Sequence, residues 1–315
     1  MLTMINAVFP AFGLVLLGYV AARLKYFGKG DIQGLNTFVF NFALPVMLFH
    51  TLAKTPLPDH VEWGYLLSYY LGAFFVYGVG MLTGRLAFSQ PLEQQGIFGL
   101  GAAYSNVVLL GVPVVLMGLG EAATLPLFLL LAFHASLMFS AVTAIVESAR
   151  GRGQSLKKLP WTTLKGLLKN PIVDGLWLGL LFNLFQLDLP GPLERLTAML
   201  GGAALPSAVF ALGASLSRYR FCGQLPQALT IVGFKTVLHP LSVWLLATFA
   251  FHVDPLWTAV AVAMAAMPVG INVYLFAQRY DACVAPVATA ILLSTGLSVG
   301  TVSVLLWWLH TSLQR

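Results

Sequence analysis

Charged residues are scarce in this sequence. Only 9% of its 315 residues are Asp, Glu, Lys or Arg, while 58% are hydrophobic. Because soluble domains carry about 25% charged residues, this composition excludes a soluble protein. Apolar segments of about 20 residues, the length that crosses the hydrocarbon of a bilayer, recur along the whole chain. The sequence therefore predicts an all-α polytopic membrane protein without a soluble domain.

Cysteines and enzyme motifs are scarce or absent as well. Cys222 and Cys283 are the two cysteines, and both fall at predicted cytoplasmic helix ends, where disulfides are unusual. The sequence contains no Walker motif, no GxSxG and no HExxH. It also has no clustered basic patch with aromatic partners, so nucleic acid is not an expected partner. These absences argue against an enzyme, a cofactor and a metal site.

The apolar segments predict ten membrane spans. Their approximate bounds are Met4–Ala22, Leu35–Ala53, Tyr65–Phe88, Ile97–Leu119, Ala122–Glu147, Pro171–Leu187, Leu196–Ser217, Pro226–Phe251, Leu256–Gln278 and Ala282–His310.

Lys and Arg residues give the predicted orientation, because they are enriched in short cytoplasmic loops. Thirteen of the 17 lie in segments on one side of the ten-span arrangement, and only Lys54, Arg195 and Arg315 lie on the other. The alternation predicts a multi-pass protein of the plasma (inner) membrane with both termini extracytoplasmic.

The two halves of the chain match each other at a spacing of 160 or 161 residues. The matches are Pro10 and Gly18 with Pro171 and Gly179, Ala43–Phe49 with Ala204–Phe210, and Pro126 with Pro286. They predict two five-span repeats, residues 1–148 and 170–315, joined by a basic cytoplasmic linker at 149–169. Because five is odd, the second copy must be inverted, as in many secondary transporters.

Two spans carry an asparagine, a glycine and a proline near their middle. These residues are Asn106, Gly111 and Pro113 in the fourth span and Pro268, Gly270 and Asn272 in the ninth. Proline removes a helix hydrogen bond and glycine tolerates the angles of a break, so both helices are predicted to be interrupted. Half-helix N-termini at such a break bind an anion without a buried cation. The alternative is a proline kink filled by neighbouring side chains.

Three ionisable residues within the spans are further candidates for ion or charge coupling. Lys235 lies four residues before His239, so the two share a helix face. Lys235 either supplies charge to an anion path or extends to the inner headgroups. Asp174 either couples an ion or stabilises the N-terminus of its own helix. His134 is interpreted as an interior histidine.

Short motifs occur in order in five spans. They are NFALPVMLF, SNVVLLGVP, ALPSAVFALG, MPVGINVYLFAQRY and LLSTGLS, in spans two, four, seven, nine and ten. Together they resemble the auxin efflux carrier family over essentially the whole chain. The long hydrophilic central loop of many plant members is missing here, so the bacterial malonate-type branch is the closer likeness. The resemblance implies a scaffold part and a transport part, with an organic anion bound where the broken fourth and ninth helices cross.

The expected function is secondary transport of a small organic anion, such as a malonate-like or malate-like dicarboxylate, by alternating access about this crossing. The lipid bilayer surrounds the protein, and the sequence leaves open coupling to H⁺ or Na⁺ and assembly as a homodimer. The alternatives are a receptor or sensor built on a carrier scaffold and an intramembrane enzyme.

Overall fold

A computed structural model describes residues 2–54, 62–150, 161, 170–219 and 224–313. Within these ranges every regular element is a helix, and no strand is present. The helices are α1 (Leu2–Arg23), α2 (Lys29–Lys54), α3 (Trp63–Phe88), α4a (Leu92–Ala103), α4b (Val107–Leu119), α5 (Glu121–Ala149), α6 (Pro171–Leu184), α7 (Gly191–Leu216), α8 (Leu225–Ala250), α9a (Pro255–Ala266), α9b (Ile271–Tyr280) and α10 (Val284–Leu313). Cys222 and most of the predicted linker lie outside the described residues.

Every predicted apolar segment coincides with a helix or a pair of helices. Six of the described helices are long and apolar enough to cross a membrane, namely α2, α3, α5, α7, α8 and α10. The apolar helices α4b, α6 and α9a, and the apolar part of α1, are shorter. Helix α2 begins at Lys29 rather than at Leu35, because the polar residues before Leu35 are helical too. The molecule is thus an all-helical, multi-pass membrane protein.

Prolines within three helices are accommodated by π turns rather than by breaks. The turns Val39–Ala43, Val107–Gly111 and Phe234–Leu238 end two residues before Pro45, Pro113 and Pro240. Proline lacks an N–H and its ring clashes with the carbonyl four residues earlier, and a wider turn relieves that clash. Pro113 therefore does not interrupt its helix, contrary to the expectation from the sequence.

The helices pack as two groups. In the first group, α1 packs along the C-terminal half of α7, and α2 packs along α6 and the N-terminal half of α7. In the second group, α3 packs against α4a and α8, while α5, α9a and α10 surround them. Helix α4b contacts α1 and α7, so it joins the two groups.

Two glycines permit close helix contacts in the first group. A Cβ atom at Gly18 of α1 would lie 2.2 Å from the Phe210 carbonyl oxygen of α7. A Cβ atom at Gly179 of α6 would lie 2.8 Å from the Phe49 carbonyl oxygen of α2. Only a residue without a side chain allows backbones to approach this closely. The two contacts are related by the same spacing of 161 residues that the two sequence halves show.

The variant Gly18→Ala tests this packing. The added methyl group must displace the α7 backbone, and overpacking of this kind costs about 1–3 kcal/mol. We expect a melting temperature lower by several degrees in detergent. Gly13→Ala is the matched control, since it lies on the same helix and nothing lies within 4 Å of its Cβ position. Equal melting temperatures for the two variants would contradict the described α1–α7 contact.

Candidate functional site

Helices α4 and α9 are both interrupted, and their interruptions cross. Between α4a and α4b the chain is extended at Tyr104, and Ser105 forms an antiparallel bridge with Val269. The Asn106 N–H donates to the Pro268 carbonyl over 2.9 Å, and the Gly270 N–H donates to the Tyr104 carbonyl over 3.0 Å. The backbone groups that the breaks release are thus partly satisfied by each other, as buried backbone in a membrane protein requires.

The two hydrogen bonds give the register of the crossing. They flank the Ser105–Val269 bridge on its two sides, as the hydrogen bonds of an antiparallel bridge do. The bridge therefore places Ser105 opposite Val269.

Two glycines in the crossing provide space rather than unusual backbone angles. A Cβ atom at Gly270 would lie 2.5 Å from the Tyr104 ring, and one at Gly111 would lie 2.8 Å from the Met264 sulfur. Their φ angles are −68° and −61°, which any residue adopts. The interruptions therefore do not depend on backbone angles that only glycine adopts.

A cavity of about 1020 Å³ lies against the crossing. Its wall includes the first turns of both half-helices, at Val107 and Val108 of α4b and at Ile271 and Asn272 of α9b. N–H groups in the first turn of a helix have no partner within that helix, and the helix dipole adds about half a positive charge there. The cavity therefore meets two electropositive helix ends.

Two amide side chains also line the cavity. Asn106 is only 6% exposed, and its Nδ2 atom has no hydrogen-bond partner among the described residues. Asn272 Nδ2 donates to the Tyr104 hydroxyl over 3.3 Å. Leaving a buried donor unsatisfied costs about 1–3 kcal/mol, so Asn106 is an amide that a bound acceptor would stabilise.

Sequence reasoning did not assign three polar residues that line the cavity, Tyr104, Ser105 and His134. The His134 ring stacks on the Tyr104 ring with a centroid separation of 4.6 Å. Neither of its ring nitrogens makes a hydrogen bond of normal geometry in the described part of the chain, although the ring lies beside the Ser105 backbone. The position of Ser105 directly before Asn106 was an available signal; Tyr104 and His134 gave none.

The exposed end of the cavity is cationic. Arg23, Lys29 and Arg218 line it, and all three are solvent-exposed. Arg218 Nη2 donates to the Lys29 carbonyl over 2.6 Å, which holds the C-terminal end of α7 against the start of α2. Among the described residues that line the cavity there is no Asp or Glu. A cleft lined by one sign of charge concentrates ions of the opposite sign, so this entrance attracts anions.

Several of the sequence-predicted candidates lie outside the cavity wall. Gly111 and Pro113 are buried within α4b, and Pro268 takes part through its carbonyl. Asp174 is exposed in the first turn of α6 and does not line the cavity. Asn106, Gly270 and Asn272 are the candidates that the structure brings together at the cavity.

Lys235 and His239 lie behind the crossing, in the second helix group. The Lys235 side chain is 0% exposed, and its Nζ donates to the Ala265 carbonyl in the last turn of α9a. The alternative that Lys235 extends to the headgroups is therefore wrong, because its side chain turns into the protein.

A family model described as "Membrane transport protein" matches residues 3–307. The chain belongs to this family, which is that of the auxin efflux carriers. As a member of it, the protein is a membrane transporter and not an enzyme.

Three relatives illustrate the range of the family. "Putative malonate transporter" of Rhizobium meliloti (strain 1021) is 29% identical over 96% of this chain and 95% of its own length. "Auxin efflux carrier component 8" of Arabidopsis thaliana is 25% identical over 88% of this chain and 89% of its own. "Lysosomal cholesterol signaling protein" of Mus musculus is 31% identical over 67% of this chain but 26% of its own length.

The variant Gly270→Ala tests the described crossing. Its methyl group would overlap the Tyr104 ring and approach the Ser105 carbonyl, so we expect a loss of about 1–3 kcal/mol of stability. The melting temperature in detergent measures this loss. The control is Gly296→Ala in α10, where nothing lies within 4 Å of the Cβ position. A Gly270→Ala protein as stable as the control would show that the two interruptions are further apart than described.

Proposed function

We propose that this transporter carries a small organic anion and binds it where α4 and α9 cross. One observation supports this above all: two half-helix N-termini and the unpartnered Asn106 amide meet at one cavity whose described lining has cations and no carboxylate. Each of these features favours negative charge by itself. The two helix ends and Asn106 line the wall of the cavity at the crossing, and the cations line its exposed end.

The physical basis is recognition by hydrogen-bond donors rather than by a direct salt bridge. A carboxylate accepts hydrogen bonds from the free first-turn N–H groups and from Asn106 Nδ2, and bonds to an ionised acceptor are about twice as strong as neutral ones. Donors without a full charge release the anion more readily than a paired arginine would. A carrier needs such release, because substrate must leave on the opposite side.

Malonate is the first substrate to test. The name of the Rhizobium meliloti relative includes malonate, and that relative covers almost the whole chain. A three-carbon dicarboxylate fills only a small part of about 1020 Å³. The remaining volume, which extends to Arg23, Lys29 and Arg218, serves as the access route from the cationic entrance.

The proposed transport cycle uses two inverted five-helix repeats, residues 1–148 and 170–315, and ten spans. One observation supports the repeats: the glycine contacts at Gly18 and Gly179 are related by 161 residues, the spacing at which the two sequence halves match. We propose that α1, α2, α6 and α7 form the scaffold, and that the second helix group moves against it as an elevator. The location in the plasma membrane and the extracytoplasmic termini are part of the same proposal.

A sensor is the second candidate function. The similarity to a relative named as a cholesterol signaling protein favours this function. The chain matches only about a quarter of that relative's length. A sensor would bind the anion at the same crossing without net flux. Uptake into sealed vesicles distinguishes the two functions, because only a carrier accumulates label inside.

Uptake of radiolabelled malonate into proteoliposomes tests the proposed carrier. We expect uptake by the wild-type protein and a loss of at least about tenfold in Asn106→Ala and Asn272→Ala, since each removes a donor at the cavity. The melting temperature of Asn106→Ala should stay close to wild type, because Asn106 Nδ2 has no partner among the described residues. Asn272→Ala also loses the hydrogen bond to the Tyr104 hydroxyl, so its melting temperature should fall slightly more.

Gln33→Ala is the matched control, since this exposed amide of α2 does not line the cavity. Wild-type uptake rates in both asparagine variants would remove the crossing as the site. Binding of malonate without uptake by the wild-type protein would favour the sensor.

A further inference from the structure

Three cations at the exposed end of the cavity have no described anionic partner. Arg23 ends α1, Lys29 begins α2, and Arg218 lies two residues after the end of α7. Neither of the two ion pairs among the described residues involves any of them. Because arginine stays ionised in proteins, at least two permanent positive charges lie here without a carboxylate.

Uncharged acceptors hold the two guanidinium groups in place. Arg23 Nε donates to the Tyr19 hydroxyl over 3.1 Å, and Arg218 Nη2 donates to the Lys29 carbonyl over 2.6 Å. Each of these bonds uses one of the five N–H donors that a guanidinium presents, so other donors can bind an oxyanion. A side chain that is already positioned also loses less entropy when a ligand binds to it.

A purely structural role does not explain the grouping of these cations. Arg23 in the last turn of α1 suits the negative end of that helix dipole. Asp31, the carboxylate nearest to them in the sequence, accepts from the Gly28 N–H over 2.8 Å at the start of α2 and does not line the cavity. Neither observation requires cations from three separate segments to line one cavity, as Arg23, Lys29 and Arg218 do.

One pair of aromatic rings connects these cations with the crossing. Tyr219 follows Arg218 directly, and its ring packs edge-on against Tyr274 of α9b with a centroid separation of 4.7 Å. Tyr274 lies two residues after Asn272, near the start of α9b. All four residues line the same cavity. An anion at Arg218 therefore lies in the same continuous space as the crossing.

The cations and the crossing belong to different helix groups. Arg23, Lys29 and Arg218 come from α1, α2 and the end of α7, which form the first group. Helix α9b packs on α4a and α10 of the second group. In the proposed cycle the second group moves, so the cations remain at the cavity mouth while the crossing carries the substrate.

We propose that Arg23, Lys29 and Arg218 form a second anion site, which captures a carboxylate of the substrate at the cavity mouth before the substrate reaches the crossing. This proposal rests on the proposed function, because the crossing is the destination of the captured anion. The site loads substrate and takes no part in translocation. Its loss therefore raises the half-saturating substrate concentration and leaves the maximal rate unchanged.

The double variant Arg23→Gln/Arg218→Gln tests the second site by malonate uptake into phosphatidylcholine vesicles. We expect the half-saturating malonate concentration to rise at least about tenfold, because a charged cleft raises association rates by about 10- to 1000-fold. The maximal rate should stay within about twofold of wild type. Arg85→Gln is the matched control, since this exposed arginine of α3 does not line the cavity.

The outcomes of this comparison separate the two proposals. An unchanged half-saturating concentration in the double variant would overturn the second site while leaving anion transport established. A similar rise in Arg85→Gln would also overturn it, because the effect would then belong to the overall charge of the protein. No uptake by the wild-type protein would instead count against the proposed function and remove the basis of the second site.

Ionic strength gives a readout that a merely structural role would not change. Raising KCl on both sides of the vesicles from about 0.01 M to about 1 M shortens the Debye length from about 30 Å to about 3 Å. We expect the half-saturating concentration of wild type to rise at least about fivefold, and that of the double variant by less than about twofold. A salt-independent wild-type protein would overturn the proposal, and this measurement decides if the double variant does not fold.

The phosphate of an anionic lipid is another oxyanion that the same guanidinium groups could bind. Vesicles of phosphatidylcholine alone and vesicles that also contain phosphatidylglycerol distinguish the two sources. Capture of substrate predicts the same rise in half-saturating concentration for the double variant in both. An effect of the double substitution that appears only with phosphatidylglycerol would identify lipid as the ligand and overturn the proposal.

Discussion

Two backbone hydrogen bonds between interrupted helices are the constraint on which the rest of the molecule depends. They join the Asn106 N–H to the Pro268 carbonyl and the Gly270 N–H to the Tyr104 carbonyl. Irregular backbone is tolerated at membrane depth only when it is buried in protein or lines a cavity, and this crossing does both. It also places the first turns of α4b and α9b at the wall of the cavity.

Residues around the crossing allow its close packing and make the cavity beside it favourable for negative charge. Gly270 lets the Tyr104 ring pack directly on the α9 backbone, and Gly111 admits Met264. In front of the crossing, the Asn106 amide lacks a described partner; behind it, Lys235 binds the carbonyl end of α9a. Hydrogen-bond donors in front of the crossing favour an anion. The candidate site therefore has donors at the crossing and the cations Arg23, Lys29 and Arg218 at its exposed end.

Much of the fold could be predicted from the sequence, whereas the site could be predicted only in part. The length of the apolar segments predicted the helices. Asn106 and Gly270 indicated where two of these helices are interrupted. Pro113 misled, because a π turn absorbs a proline without a break. Burial of Lys235 and the grouping of Arg23, Lys29 and Arg218 follow from contacts between distant segments, which no local pattern encodes.

The most direct measurement of the central claim is an experimental density map of the protein with malonate bound. The account predicts malonate between the N-termini of α4b and α9b, with a carboxylate oxygen within hydrogen-bond distance of Asn106 Nδ2. Malonate bound only among Arg23, Lys29 and Arg218, or continuous fourth and ninth helices with no cavity between them, would contradict it.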